Sequence, residues 1–543
     1  MGDFTHPALV ALILDDFLTL ENGEPSTIVG HNTQPGFSLP NAQKDYKDAC
    51  IITPWRAVSM RLITTLCALL ALTIGVFQLE RERVGIPRTN TFVGSTPVSV
   101  YGTGPGPAVV IAHGFAGSRQ LMEGYALTLA RAGYYAVSFD FEGHGRNPTP
   151  MSGDVTQIAG TTRMLMDETR RVIDFAQELP GTEGRIALLG HSMATDVITR
   201  VAIEDEISTV VGISMYSKAV SSIAPERLLM ISGQAERHLR DAALNAMAMV
   251  GAGGEGDTVL KGSLARRAVV APGVEHVGVL YSKTAKQEAL AWINAAFERE
   301  IAPAVALTGL WIVITLAGVV ALGWPLAKSL PEGAAPLPIS TRTFRIATLF
   351  PALTTPLILA PFELQFLPVL VADYLAVHAA IYGILTLGIL RMNQVRLGAA
   401  RILPLVVILV WGLALFGGVL DRYVANFFPT GPRISIIAAI ALGTIPALLA
   451  EAALTQVGNA TFLRKTAARL SFLGSLAIAT ALDFERLFFL LLILPLIALF
   501  YASFGVMGGW VGRRSGTVVT VGLGLGLCLG WALGVSFPMF DAG

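Results

Sequence analysis

The chain has 543 residues, 53% of them hydrophobic and only 14% charged, with a mean hydropathy of +0.60. Soluble proteins carry about 25% charged residues, so a wholly water-soluble globule is excluded, disorder more firmly still, and an integral membrane protein is expected, at least in part. Lys+Arg and Asp+Glu both number 39, so no basic excess points to nucleic acid and no single-sign field to charge steering.

The first 55 residues are polar, mixed in charge and without periodicity. They read as a disordered tail, or as an artefact of start-codon choice, since Met60 would itself serve as an initiator. An isolated apolar run follows at 57–79. About 20 apolar residues cross the hydrocarbon core as a helix, Arg56 and Arg61 sit at its start, and no small-x-small cleavage pattern comes before Gln78-Leu-Glu-Arg-Glu-Arg. It reads as an uncleaved signal anchor. Of the three cysteines, Cys50, Cys67 and Cys528, two lie in apolar runs, which argues against a disulfide framework or a zinc cluster.

From 85 to 300 the composition is that of a soluble α/β domain. Apolar strand candidates at 107–112, 134–139, 185–189, 209–215, 227–231 and 267–270 alternate with helical stretches such as 120–132, 162–178 and 193–203. That alternation predicts a mainly parallel sheet covered on both faces, with reactive groups at the carboxyl ends of the strands.

Three strand ends carry suggestive residues. Gly190-His191-Ser192-Met193-Ala194 stands between a strand and a helix. Small neighbours permit a tight turn that lifts the Ser192 hydroxyl clear of the sheet and leaves the Met193 N–H at a helix N-terminus, where developing negative charge is favoured. The bland alternative is a serine N-cap. Val109-Val-Ile-Ala-His113-Gly114-Phe115-Ala116-Gly117 offers the Phe115 N–H as a second oxyanion donor, with His113 structural. Later, Glu236 lies three residues past Gly233 at one strand end, and His276 follows the last strand. A hydroxyl is a poor nucleophile at neutral pH, and a histidine oriented by a carboxylate supplies the missing activation.

With these motifs in order, and with Asp140-Phe-Glu-Gly143-His144-Gly145 between them, the segment resembles an α/β-hydrolase, within the lysophospholipase and serine-aminopeptidase-like branch. The resemblance implies Ser192 as nucleophile, His276 as general base and acid, and Glu236 as third member. It gives the Asp140 turn no catalytic part. Many relatives carry aspartate at the acid position, so Asp241 and Asp257 stay open as substitutes, and Ala194 stands where a second glycine is usual. No metal or organic cofactor is implied. Only about 11 residues (216–226) occupy the place where many relatives insert a lid, so the mouth is expected to be open or covered by the bilayer or by the helical domain.

From 303 to the end, 241 residues carry 22 charged side chains. Eight apolar spans are expected, near 303–325, 346–361, 365–390, 402–420, 434–456, 470–484, 487–511 and 517–537. Alternate loops divide the basic residues 11 to 3, the three being Arg422, Arg433 and Arg486. By the positive-inside rule this puts the α/β domain outside the cytoplasm. Asp373, His378 and Glu451 are polar candidates within the spans, and Val521-Gly-Leu-Gly-Leu-Gly suits close helix contact. The expected whole is a multi-pass membrane serine hydrolase acting on an ester, thioester or amide, with the lipid bilayer and a small-molecule or lipid acyl substrate as partners. The alternative is a transporter or lipid-handling protein whose insert only binds.

Overall fold

The computed structural model describes residues 54–153 and 158–541; the N-terminal tail expected over 1–55 falls almost wholly outside them. Helix α1 (Pro54–Arg81) leads into a nine-stranded sheet. The strands are β1 (Arg88–Val93), β2 (Thr96–Tyr101), β3 (Ala108–Ala112), β4 (Tyr135–Phe139), β5 (Ile186–His191), β6 (Thr209–Ile213), β7 (Arg227–Gly233), β8 (Thr258–Lys261) and β9 (Leu264–Ala271), in the order β1-β2-β4-β3-β5-β6-β7-β9-β8. The six strands expected from sequence form the parallel centre, while β1, β2 and β8 add antiparallel edges. The edge strands β1 and β8 mix polar and charged residues with few apolar ones, and in β2, between β1 and β4, Thr96, Pro97 and Ser99 break the apolar pattern, so no apolar run announced any of the three.

The helices of this domain are α2 (Glu123–Arg131), α3 (Arg163–Gln177), α4 (Met193–Glu204), α5 (Arg237–Ala248) and α6 (Lys283–Ala296). Alternate strand residues feed two cores: Ala108, Val110 and Ala112 of β3 face α3 and α4, and Val109 and Ile111 face α2 and α6. This is the period-2 consequence of the pleat. Both faces are covered, hence the uninterrupted apolar character of the central strands.

Eight long helices follow: α7 (Gly309–Lys328), α8 (Thr341–Leu359), α9 (Ala372–Met392), α10 (Ile402–Tyr423), α11 (Gly431–Leu454), α12 (Phe462–Leu482), α13 (Leu490–Ser515) and α14 (Val518–Ser536). Among the described residues, seven helices are long and apolar enough to cross a membrane: Met60–Arg81 within α1, and all of these except α8 and α12. Arg342 and Arg345 in α8, and Arg464, Lys465 and Arg469 in α12, explain the two exceptions. The expected glycine contact is present. Gly522, Gly526, Gly530 and Gly534, one per turn of α14, face Leu449, Ile445, Ala441 and Ile437 of α11, and a Cβ on any of the first three would lie 2.5–2.9 Å from a backbone Cα. Backbones can approach this closely only where side chains are missing.

The α/β domain rests on one end of the helical bundle. Arg146 pairs with Asp421 at 2.6 Å and donates to Asn426. Wholly buried Arg433, at the start of α11, donates to the Gly143, Gly534 and Phe537 carbonyls. Beyond α14, Met539 exchanges backbone hydrogen bonds with Gly143 and Met151, and Phe540 enters the α/β core. The loops richest in basic residues contact one another at the opposite end, through Arg464 to Ile339, Arg513 to Gly458 and Arg514 to Leu330. The three arginines that stood apart in the loop count all lie at the α/β end. Arg422 meets Glu80 at 3.0 Å and Arg486 meets Asp483 at 2.7 Å.

Of the three polar candidates in the spans, Asp373 lies in the first turn of α9 and accepts the Leu367 N–H, bracing the preceding loop. His378 meets Ser475 of α12 at 2.9 Å, and Glu451 pairs with Arg469 at 2.8 Å. All three therefore join elements together.

Candidate active site

Ser192 stands between β5 and α4 with φ 53° and ψ −121°. A non-glycine residue tolerates this region only where its surroundings enforce it, and the packing here does so. A Cβ on Gly190 would lie 2.8 Å from Ile198 and 3.3 Å from Ala194, and one on Gly114 would lie 3.0 Å from the Ser192 Cβ. Ala194, in place of a glycine, is fully buried against Gly190 and its methyl is accommodated. The turn presents the hydroxyl at the carboxyl end of the sheet and begins α4 at Met193.

Ser192, His276 and Glu236 come together. The Ser192 Oγ lies 2.8 Å from His276 Nε2, and His276 Nδ1 lies 2.5 Å from Glu236 Oε1. An ionised carboxylate only accepts, so Nδ1 carries the imidazole proton and Nε2 is free to accept from the serine. The other carboxylate oxygen, Oε2, accepts the Gly233 N–H at 2.6 Å and the Ser214 hydroxyl at 2.8 Å. Burial works to raise the Glu236 pKa, but the hydrogen bonds from His276, Gly233 and Ser214 outweigh it and hold the carboxyl below its usual value. The Glu236 side chain is 6% exposed and the His276 side chain 44%, so the site is sealed beneath and open above. Asp257 caps Gly254 instead, and the structure brings neither it nor Asp241 to the imidazole.

Two neighbours escaped the sequence reading. His191 Nε2–H donates to the His276 carbonyl at 2.9 Å, tying the loop that carries the imidazole to the turn that carries the hydroxyl. Burial, then the proximity of His276, lowers the His191 pKa to about 4, so it stays neutral. Ser214, at the end of β6, is the second. Adjacency to Ser192 in the motif pointed to His191; nothing local marked Ser214.

His113 is wholly buried. Its Nδ1–H donates to the Gly114 carbonyl at 2.8 Å and its Nε2 accepts the Phe141 N–H at 3.1 Å. The structural role expected of it holds, though it has the partners that the sequence did not reveal. Phe115 is half-buried beside Ser192. Its ring meets His144 at 5.8 Å and Phe489 of the helical domain at 5.1 Å. The turn from Asp140 to Gly145 serves as a mount. Asp140 accepts from Arg119 and Arg146, and Gly143, with φ 76°, takes hydrogen bonds from Arg433 and Met539. A Cβ on Gly143 would lie 2.5 Å from the Met539 carbonyl. Between β6 and β7 lies an irregular segment without a helix, so the α/β domain supplies no lid there.

Residues 104–233 match the family described as serine aminopeptidase, S33. Comparison with curated proteins gives no match. Among solved structures, the chain is similar to an esterase from Pyrobaculum calidifontis (15% identity, covering 44% of this chain and 93% of that one, TM-score 0.29). It is also similar to TT1662 from Thermus thermophilus (17% identity, 40% and 99%, TM-score 0.28). A third is a predicted CIB-like hydrolase from Thermoplasma acidophilum (11% identity, 39% and 99%, TM-score 0.30). The residues that match this family hold the parallel strands β3 to β7 and the strained serine turn at the end of β5, so the chain carries an open, mainly parallel α/β sheet like that of the α/β-hydrolases, joined to an all-helical region that holds, among the described residues, six of the seven helices long and apolar enough to span a membrane.

Proposed function

We propose that the protein is a membrane-bound serine hydrolase that cleaves an ester, thioester or amide through an acyl-enzyme. The observation that carries this reading is the hydrogen-bonded line from Ser192 Oγ through His276 to Glu236, at 2.8 and 2.5 Å, starting from a serine in a strained turn. Ser192 Oγ bonds to the acyl carbon while its proton passes to His276 Nε2. The tetrahedral oxyanion accepts from the Phe115 and Met193 amides, the second at the N-terminus of α4. As the intermediate collapses, the bond to the leaving group breaks and His276 returns the proton to it. Water then attacks the acyl-enzyme with His276 again as base. Glu236 keeps the imidazole in the tautomer this requires.

The substrate is an acyl lipid or acyl small molecule at the membrane surface, and the α/β-hydrolase domain lies on the extracytoplasmic side. Support comes from the 11-to-3 division of basic residues and from the position of the α/β domain at the basic-poor end of the bundle. The site also opens where the α/β domain has no lid of its own. Reaction of the full-length, detergent-solubilised protein with a fluorophosphonate probe tests the reading. Wild type should be labelled and Ser192→Ala silent; folded wild type that takes no label would leave the insert as a binding module of a lipid-handling or transport protein.

A further inference from the structure

Phe115 begins a line of aromatic rings that leaves the active site. Its ring centroid lies 5.1 Å from that of Phe489, Phe489 lies 5.8 Å from Phe488, and Phe488 lies 5.6 Å from Phe484. The ladder starts one residue past Gly114, where a Cβ would stand 3.0 Å from the Ser192 Cβ. It ends on rings that are 42% (Phe488) and 56% (Phe484) exposed. These last three phenylalanines occupy the connection between α12 and α13, at the mouth of a 26-residue helix apolar enough to cross a membrane. Arg486 in this connection faces Glu363 at 3.9 Å, linking it to the α8–α9 loop, where Phe362 and Phe366 are also more than half exposed.

Within the α/β domain such a row would be an exposed apolar patch in need of a cover. At the end of a spanning helix its cover is the bilayer itself, since wholly apolar phenylalanine rings at that level are shielded from water by lipid. We infer that the ladder Phe489–Phe488–Phe484 is the acyl-chain subsite of the hydrolase: it receives the long chain of a membrane lipid directly from the bilayer and lays the acyl carbonyl over Ser192. This rests on the serine-hydrolase reading and adds to it a substrate class, a long-chain acyl lipid, and a route of entry. The chain would exchange bilayer contacts for ring faces without passing through water, and the lid absent between β6 and β7 would be supplied by the helical region. Short acyl groups end before reaching Phe488, so the ladder acts on chain length and not on the reacting bond.

Two measurements on the full-length protein test this. The first is the ratio of kcat/KM for p-nitrophenyl palmitate to that for p-nitrophenyl butyrate in mixed micelles, in wild type and in the Phe484→Ala/Phe488→Ala double variant. The ratio should fall about tenfold, as expected for losing two aromatic contacts along the chain; an unchanged ratio overturns the subsite. The second needs no variant. A hexadecyl fluorophosphonate with a diazirine at the chain terminus is attached to Ser192 of wild type and illuminated. Cross-links should fall on the peptide containing 484–489, and cross-links confined to the α/β domain overturn the proposal. Wild type that rejects every fluorophosphonate would bring down the hydrolase reading and the subsite together, whereas a labelled enzyme with an unchanged ratio would remove the subsite alone.

Discussion

Replacing Glu236 with glutamine keeps the shape of the site and changes only which atoms can accept. Oε2 of Glu236 receives two donors, the Gly233 N–H and the Ser214 hydroxyl, while Oε1 receives only His276 Nδ1–H. A glutamine has one oxygen. Placed opposite two donors it satisfies both, so the amide turns its NH2 toward His276. Nδ1 must then accept, the imidazole proton moves to Nε2, and Nε2 can no longer take the proton of Ser192. A carboxylate-to-amide change that inverts the tautomer in this way costs about 10,000-fold in kcat, or about 5.5 kcal/mol of barrier. The fold loses little, because both donors to Oε2 keep their acceptor. The assay is hydrolysis of p-nitrophenyl butyrate together with the rate of fluorophosphonate labelling, on protein whose melting temperature matches wild type. A Glu236→Gln enzyme within tenfold of wild type would show that Glu236 does not govern the tautomer, and the acid would have to be sought elsewhere.

Mild acid should destabilise the α/β domain. Burial, first among the causes, lowers the pKa values of His113 and His144 and brings His191 to about 4; their contribution is complete above the usual histidine value near 6.5 and is lost as pH falls from there toward 4. Glu168 works the other way, because burial raises it to about 7 and its contribution grows as pH falls through that value. Burial also raises Glu142, so three imidazoles stand against two carboxyls; the imidazoles should prevail, and the melting temperature should drop between pH 7 and pH 5; a flat profile would refute it. Arg433→Met should strip the donor from the Gly534 and Phe537 carbonyls and leave the Gly143 carbonyl with the Met539 N–H alone. At about 1–3 kcal/mol per orphaned acceptor, partly offset by no longer burying a charge, about 3 kcal/mol of stability should go, read as a lower melting temperature and faster proteolysis between the two regions. A melt identical to wild type would mean that Arg433 does not fasten them.

The α/β class, the six central strands, the serine turn and six of the eight expected C-terminal spans were legible in the chain, because each rests on local pattern. A doubly covered strand must be apolar throughout, a spanning helix must be long and apolar, and a tight strand-to-helix turn needs small neighbours. The edge strands β1 and β8 were not legible, since pairing on one side alone places no comparable demand on composition, and β2, paired on both sides, was missed because its Thr, Pro and Ser interrupt the apolar run. Glu236 and His276 could be named as candidates from their order after the later strands. That they meet, that Ser214 and Gly233 hold the carboxylate, and that Asp241 and Asp257 do not reach the imidazole depend on loops closing over distances of 40 and 84 residues. No local rule specifies such closure. The same holds for the seat of the α/β domain on the helices. Arg433 looked like an exception in a loop count, and Phe489 like one more apolar residue at the end of a span. Only packing puts the first on the Gly143 carbonyl and the second on the ring of Phe115, because a contact between separate regions is set by surfaces that exist once both have folded.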